Sequence, residues 1–320
     1  MFRTELHITP PLTKISHAEP LLSMGSCFSD NMGRLLYEHK FNILSNPFGV
    51  IFNPVSNHKL LSLALKNSTP TQTGFLISQD VHLHYDFHSQ LGSITQEETA
   101  KNITSAIADS HNQLKHAKWL IMTWGTAIVY ELKDNGEIVA NCHKVPANQF
   151  NKRLLSQKEI IVDFENLLAE LPKDINVMLT VSPVRHLKET LELNSVSKSI
   201  LRIACHTLAE QHDRVYYFPG YELMLDDLRD YRFYKSDMLH PSDEAIQYIW
   251  DKFCTAYFDS PTLDFIEAWQ RVVKAIHHKP FNPNSEGHQK FVMATIDQLK
   301  SFKNIDTVKE ITMLEDQLLK

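Results

Sequence analysis

The chain has 320 residues, 43% of them hydrophobic and 22% charged, with a formal net charge of −6. That balance suits a soluble globular protein with one large domain and an appendage. It leaves no basic footprint for nucleic acid and no Lys/Arg run for an anionic membrane surface. No apolar run approaches the roughly 20 residues of a membrane span.

The four cysteines, Cys27, Cys142, Cys205 and Cys254, are widely spaced and lack the close pairing of a zinc site or a disulfide framework, so reduced thiols are expected. Residues 1–7 carry an acid and polar groups where a secretory signal needs an apolar core, which makes the cytoplasm the expected location.

In chain order, Leu21-Leu22-Ser23-Met24-Gly25 reads as an apolar strand ending in a Gly-Ser turn that opens directly into a helix. Met32, Leu35 and Leu36 keep helical spacing through 30–39, and a short strand follows at 41–44. A helix is predicted over 56–66. From 74 to 88, Val81, Leu83, Tyr85 and Phe87 alternate with His82, His84, Asp86 and His88, the period of a half-buried strand. A helix at 96–115 precedes a buried strand at 119–122. The runs 128–132 and 138–142 flank Asn135-Gly136, a hairpin turn. Helices at 156–171, 197–211 and 242–257, several opened by a Ser that can cap them, alternate with strands at 177–181 and 215–218.

Apolar runs alternating with helices predict an α/β fold: a doubly wound parallel sheet flanked by helices, with small β-hairpin insertions. Beyond 257 only helical patterns remain, at 262–277, 286–302 and 306–319, with a Pro-rich break at 279–284. The chain therefore divides into a main domain, 1–259, and a helical C-terminal appendage, 260–320. The amphipathic patterns of the appendage make a second copy a candidate partner.

The turn at Ser26 is the way a serine is lifted clear of a sheet for nucleophilic attack. Downstream, Asp237-Met238-Leu239-His240-Pro241 places a carboxylate and an imidazole three residues apart, a spacing at which the acid can orient the base. Taken alone, Asp237 and His240 would read as a cap ahead of the next helix. Paired with Ser26 they read as a catalytic triad. Cys27 is a rival nucleophile, although a residue just past the turn points away from the site.

These residues resemble the GSCFA family, a branch of the SGNH (GDSL-like) esterase and acyltransferase superfamily. The resemblance rests on Gly25-Ser26-Cys27-Phe28, Asn46-Pro47-Phe48-Gly49, Thr123-Trp124-Gly125-Thr126-Ala127, Asn141-Cys142-His143-Lys144, Ser182-Pro183-Val184-Arg185-His186 and Asp237 to Pro241, in family order. Ser29 departs from the family name, which has Ala there. Gly125-Thr126-Ala127 departs from the superfamily's Gly-x-Asn, whose amide is an oxyanion-hole donor.

The resemblance implies an SGNH-hydrolase/flavodoxin-like sheet and a serine-dependent acyl-ester hydrolase, acting on an O-acylated small molecule or carbohydrate. An O-acyltransferase using the same triad and a degenerate ligand-binding domain are the alternatives. By analogy, the N–H groups of Ser26 and Gly49 would form the oxyanion hole, and Gly125 with Thr126 would stand where the amide is missing.

His143, Arg185, His186 and His88 are candidate substrate-binding residues, each with a structural role as the competing reading. Trp124, Tyr130 and Phe150 are candidates for stacking on a sugar. His82, His84 and His88 have metal-ligand spacing, but a solvated strand face explains them more simply. No metal or other cofactor is called for.

Overall fold

The computed structural model describes residues 4–318. The first part of the chain builds β1 (Leu21–Gly25), α1 (Cys27–Glu38), β2 (Ile43–Ser45), α2 (Pro54–Lys66), a hairpin of β3 (Phe75–Ser78) and β4 (Val81–His84), and α3 (Gln96–Leu114). Next come β5 (Trp119–Trp124), β6 (Ile128–Leu132), β7 (Ile138–Val139), β8 (Phe150–Leu154), α4 (Gln157–Glu170), β9 (Asn176–Val181), α5 (Leu191–Gln211) and β10 (Val215–Tyr217). A single turn, α6 (Gly220–Glu222), continues as a wide π-helical segment, Leu223–Leu228. Then follow α7 (Asp243–Tyr257), α8 (Ser260–Ile276), α9 (Glu286–Ser301) and α10 (Val308–Glu315).

The central sheet has five parallel strands in the order β10-β9-β5-β1-β2, with Ser23 paired to Ile121 and Thr123 to Thr180. The chain starts at β1, runs outward to β2, then returns across β1 to β5. The order therefore reverses between β1 and β5, where open α/β sheets bind ligands.

Period-2 side-chain alternation makes the two layers. Leu22, Met24, Leu120, Met122, Val177 and Leu179 enter one core beneath α2, α3, α4 and α5. Leu21, Trp119, Ile121 and Met178 enter the other, against α1 and α7. Helix starts are set by side-chain caps: Asn53 on α2 with Pro54 following, Ser156 and Glu159 as a capping box on α4, and Ser242 on α7.

Several element bounds differ from expectation. The alternating stretch 74–88 is a hairpin, because Gln79 and Asp80 both take positive φ and turn the chain back. Helix α5 starts six residues before 197, where Thr190 accepts the N–H of Leu193 at 3.1 Å. Ser197 and Lys198 thus lie inside the helix rather than at its cap. An additional strand, β8, joins β6 and β7 in a small antiparallel sheet.

Helices α8, α9 and α10 share a third apolar cluster around Trp269, Val272, Val292 and Leu299. Trp269 ties them to the main domain by donating Nε1–H to the carbonyl of Glu38 at 2.8 Å, and Lys40 pairs with Glu310 at 2.8 Å. Helix α10 is shorter than the predicted 306–319, and Leu319 lies outside the described residues, as do Met1, Phe2 and Arg3 of the N-terminal reading. Among the described residues no helix is long and apolar enough to cross a membrane.

Candidate active site

The strand ends gather the motifs. β1 stops at Gly25, whose φ of +139° and close approach exclude any side chain: a Cβ there would lie 2.1 Å from the carbonyl oxygen of Thr123. Ser26 follows as the N-cap of α1. Its N–H donates to Thr123 O at 3.0 Å and its buried Oγ accepts the N–H of Phe28 at 3.3 Å. Asn46 clamps this turn from the β2 side: Oδ1 accepts the N–H of Gly25 at 2.8 Å, and Nδ2 donates to Asp30. The next block closes on itself, with Gly49 donating to Asn46 O at 2.8 Å. Gly49 takes φ +79°, and a Cβ there would fall 2.2 Å from Cβ of His88.

Asp237 and His240 form a tight pair in the loop before α7. Asp237 Oδ1 accepts the N–H groups of Leu239 and His240 at 2.8 and 3.0 Å, and Oδ2 lies 2.6 Å from His240 Nδ1. These two N–H groups, together with the ring, hold the Asp237 carboxyl down to about 2. With Nδ1–H donating to the carboxylate, the neutral ring presents Nε2 as a base. The His240 and Asp237 side chains are 41% and 44% exposed. Among the described residues no hydrogen bond joins His240 to Ser26, whose Oγ is engaged in capping α1.

The loop carrying His240 rests on the end of β9. Arg185 donates its N–H to Leu239 O at 3.3 Å and lays its guanidinium over Tyr234 and Tyr231, 4.1 and 5.0 Å from the ring centroids. Arg185 is thus a brace for this loop. His186 packs edge-on against Phe52 with centroids 5.2 Å apart, and its Nε2 is buried without a hydrogen-bond partner. Burial, then the charges of Lys198 and His240, lower its pKa to about 4.

After β5, the N–H groups of Gly125 and Thr126 both donate to Phe52 O, at 2.7 and 3.1 Å. The Thr126 hydroxyl lies 3.0 Å from Ser197 Oγ and accepts the N–H of Ile128. The N–H groups of Ser26, Gly49, Gly125 and Thr126, the expected oxyanion donors, are therefore all engaged within the fold. Cys27, as the first residue of α1, presents an N–H with no acceptor in its own helix and lies immediately after the serine. Its thiol is pushed up by burial and by Asp30, which disfavours the thiolate that a cysteine nucleophile needs.

A cavity of about 470 Å³ opens beside Thr126 and His186, lined also by Phe52, His88, Tyr130, His143, Phe150 and Lys188. His143 sits in a tight turn with positive φ. It shares Nε2 with the carbonyl of His84 at 2.9 Å and leaves a buried Nδ1 without a partner. His88 Nδ1 accepts the N–H of Gln90 at 3.3 Å. Tyr130 donates to Glu189 at 3.2 Å beneath Lys188.

Trp124, expected at the mouth, is fully buried. Its ring packs against His58 and Phe164, with centroids 5.5 and 5.9 Å apart, so it serves the core below α2 and α4. His84 is likewise interior, edge-on to Phe75 and Phe87, with Nε2 3.0 Å from Thr71 O. A separate groove of about 440 Å³ between α2 and α4 shares no residue with the motifs.

Four residues to which the sequence reading gave no site role hold the site together: Asn46 and Phe52 after β2, and Ser197 and Lys198 on α5. For the α5 pair the signal was present. Asn194, Ser197, Lys198, Leu201, Cys205 and Leu208 keep the spacing of one buried helix face.

No curated protein matches the chain. A family model described as the GSCFA domain protein, C-terminal domain, covers residues 269–320, the helices that share the third apolar cluster. The turn at Ser26, the Gly125 run, Arg185 and the Asp237–His240 pair all fall within residues 20–253, the stretch matched by the GSCFA family model, so the chain belongs to the GSCFA family.

Proposed function

We propose that this protein is a serine-dependent acyl-ester hydrolase of SGNH type, working through an acyl-Ser26 intermediate. The observation that carries the reading is the 2.6 Å Asp237–His240 contact, in a loop braced by Arg185 on the same strand-end side as the Ser26 turn.

In this mechanism Ser26 Oγ turns away from its capping contact with Phe28 and attacks the ester carbonyl carbon. Its proton passes to His240 Nε2, and Asp237 stabilises the imidazolium. Collapse of the tetrahedral intermediate breaks the bond to the alcohol oxygen, which takes the proton from His240. Water then attacks the acyl-serine, gives its proton to His240, and Ser26 recovers it as the acid leaves. The N–H of Cys27 and the N-terminal dipole of α1 lie next to the serine and suit the oxyanion.

The cavity beside Thr126 and His186 supports a second reading, O-acyl transfer. It is large enough to hold an alcohol such as a sugar in place of water, with Tyr130 and Phe150 in its wall.

Incubation with p-nitrophenyl acetate followed by peptide mass spectrometry tests the proposal. Acetyl on Ser26 in wild type, lost in Ser26→Ala and in His240→Ala, is the expected result. An absence of both adduct and released nitrophenol, with no fluorophosphonate labelling of Ser26, would leave the non-catalytic binder as the better description.

A further inference from the structure

Lys198 is 1% exposed, and among the described residues no carboxylate pairs with it. Its Nζ donates to the carbonyls of Gly125 and Ser182, each at 2.7 Å. Those carbonyls follow β5 and β9, neighbours in the sheet whose ends carry the Gly125–Ala127 turn and the segment leading to His186. On the preceding residue of α5, Ser197 Oγ accepts the N–H of Ala127 at 2.7 Å and meets the Thr126 hydroxyl. Two successive side chains of one helix thus grip the turn from beneath.

The ionisable groups close enough to interact with Lys198 are Cys27 from α1 and His186 from the loop after β9, with His240 beyond His186. None of these supplies a resident anion: burial keeps the thiol protonated and His186 neutral. A buried ammonium without a counter-ion is costly, and an apolar side chain of equal length would fill the same space. The fold nevertheless holds this charge behind the strand ends where an acyl-transfer oxyanion would form.

Resting on the acyl-transfer reading of this edge, we propose that Lys198 is a positioning residue for the reaction. It fixes the Gly125–Ala127 turn to the end of β9 and supplies the positive field that a tetrahedral oxyanion at Ser26 needs. The two contributions separate on titration. Burial lowers its pKa to about 7, so the charge is present on the acid side of neutrality and absent above it. A neutral amine keeps two N–H donors, enough for both carbonyls, so the geometry survives deprotonation while the field does not.

The test is the pH profile of p-nitrophenyl acetate turnover from pH 5 to 9 for wild type and Lys198→Met, with Ser26→Ala as the blank. Titration of the ε-carbons in lysine-labelled wild type is followed by NMR. The expected result is an alkaline fall in wild-type kcat near pH 7, matched by a lysine resonance titrating there. Lys198→Met should turn over about 10²-fold more slowly, with KM little changed and that limb gone.

Wild-type turnover by Lys198→Met, or wild-type activity that stays flat through the NMR midpoint, would overturn the proposal. Should Lys198→Met fail to fold, the match between the wild-type limb and the lysine titration still decides. A wild type without Ser26-dependent turnover overturns the underlying site reading and this inference with it, an outcome distinct from an indifferent Lys198→Met.

Discussion

Asn46 Oδ1 accepts the backbone N–H of Gly25 at 2.8 Å, linking the segment after β2 to the turn that carries Ser26. Both groups are buried, so Asn46→Ala strands a donor. Chemical denaturation should show a loss of about 1–3 kcal/mol, with slower acylation of Ser26. Asn46→Asp keeps the acceptor but sets a second carboxylate against Asp30, and its defect should ease as pH is lowered.

Asp237 holds His240 through one oxygen and the loop backbone through the other. Asp237→Asn preserves size but frees the ring to adopt the wrong tautomer. Burst kinetics with an activated ester should show acylation reduced by about 10²- to 10⁴-fold, with the melting temperature little changed because the pair is solvent-exposed. A variant with unimpaired acylation would remove Asp237 from the mechanism.

Gly25→Ala forces a methyl into the Thr123 carbonyl at a φ of +139°. We expect a destabilisation of about 3 kcal/mol or more, read as a shifted denaturation midpoint with loss of Ser26 reactivity. Gly136, which has open space around it, is the control position for alanine substitution at positive φ.

Two groups with lowered folded-state pKa values make stability rise with pH, each in its own window. Lys198 titrates near 7 in the folded chain against about 10.5 when unfolded, so the unfolded state binds more protons between these values. Its contribution to stability is complete above the unfolded value and is lost as pH falls through 7, at about 1.4 kcal/mol per pH unit. Denaturation of Lys198→Met against wild type should therefore show the mutant's relative stability increasing as pH is lowered from 10 to 7.

His186 acts lower on the scale. Held near 4 when folded against 6.5 when free, it adds stability above pH 6.5 that is lost as pH falls toward 4. His186→Gln should flatten that acid slope. An unchanged slope between pH 6.5 and 4 would show that the ring is not held neutral by its burial.

The sequence by itself determined the layered fold and the gathering of its motifs at the strand ends. The alternation of Leu21, Leu22, Met24 and of Trp119 to Met122 specifies strands buried on both faces. The Gly-Ser turn and the Asp-x-x-His spacing are contacts within a few residues, so local geometry expresses them directly. Partner choice across the chain is different, because burial and hydrogen bonding between distant segments depend on how layers pack.

The return of the chain at Gln79-Asp80 carries no Asn or Gly to announce it, and only the pairing of β3 with β4 shows it. Trp124 looks like a ligand platform beside Gly125 until packing turns it into the core against Phe164. The commitment of the Gly125 and Thr126 N–H groups to Phe52, and of Lys198 to Gly125 from 73 residues away, exists only once β5, the loop after β2 and α5 are brought together. In a close-packed interior the great majority of polar groups find a partner among whatever the other layers present, and that constraint belongs to the tertiary structure.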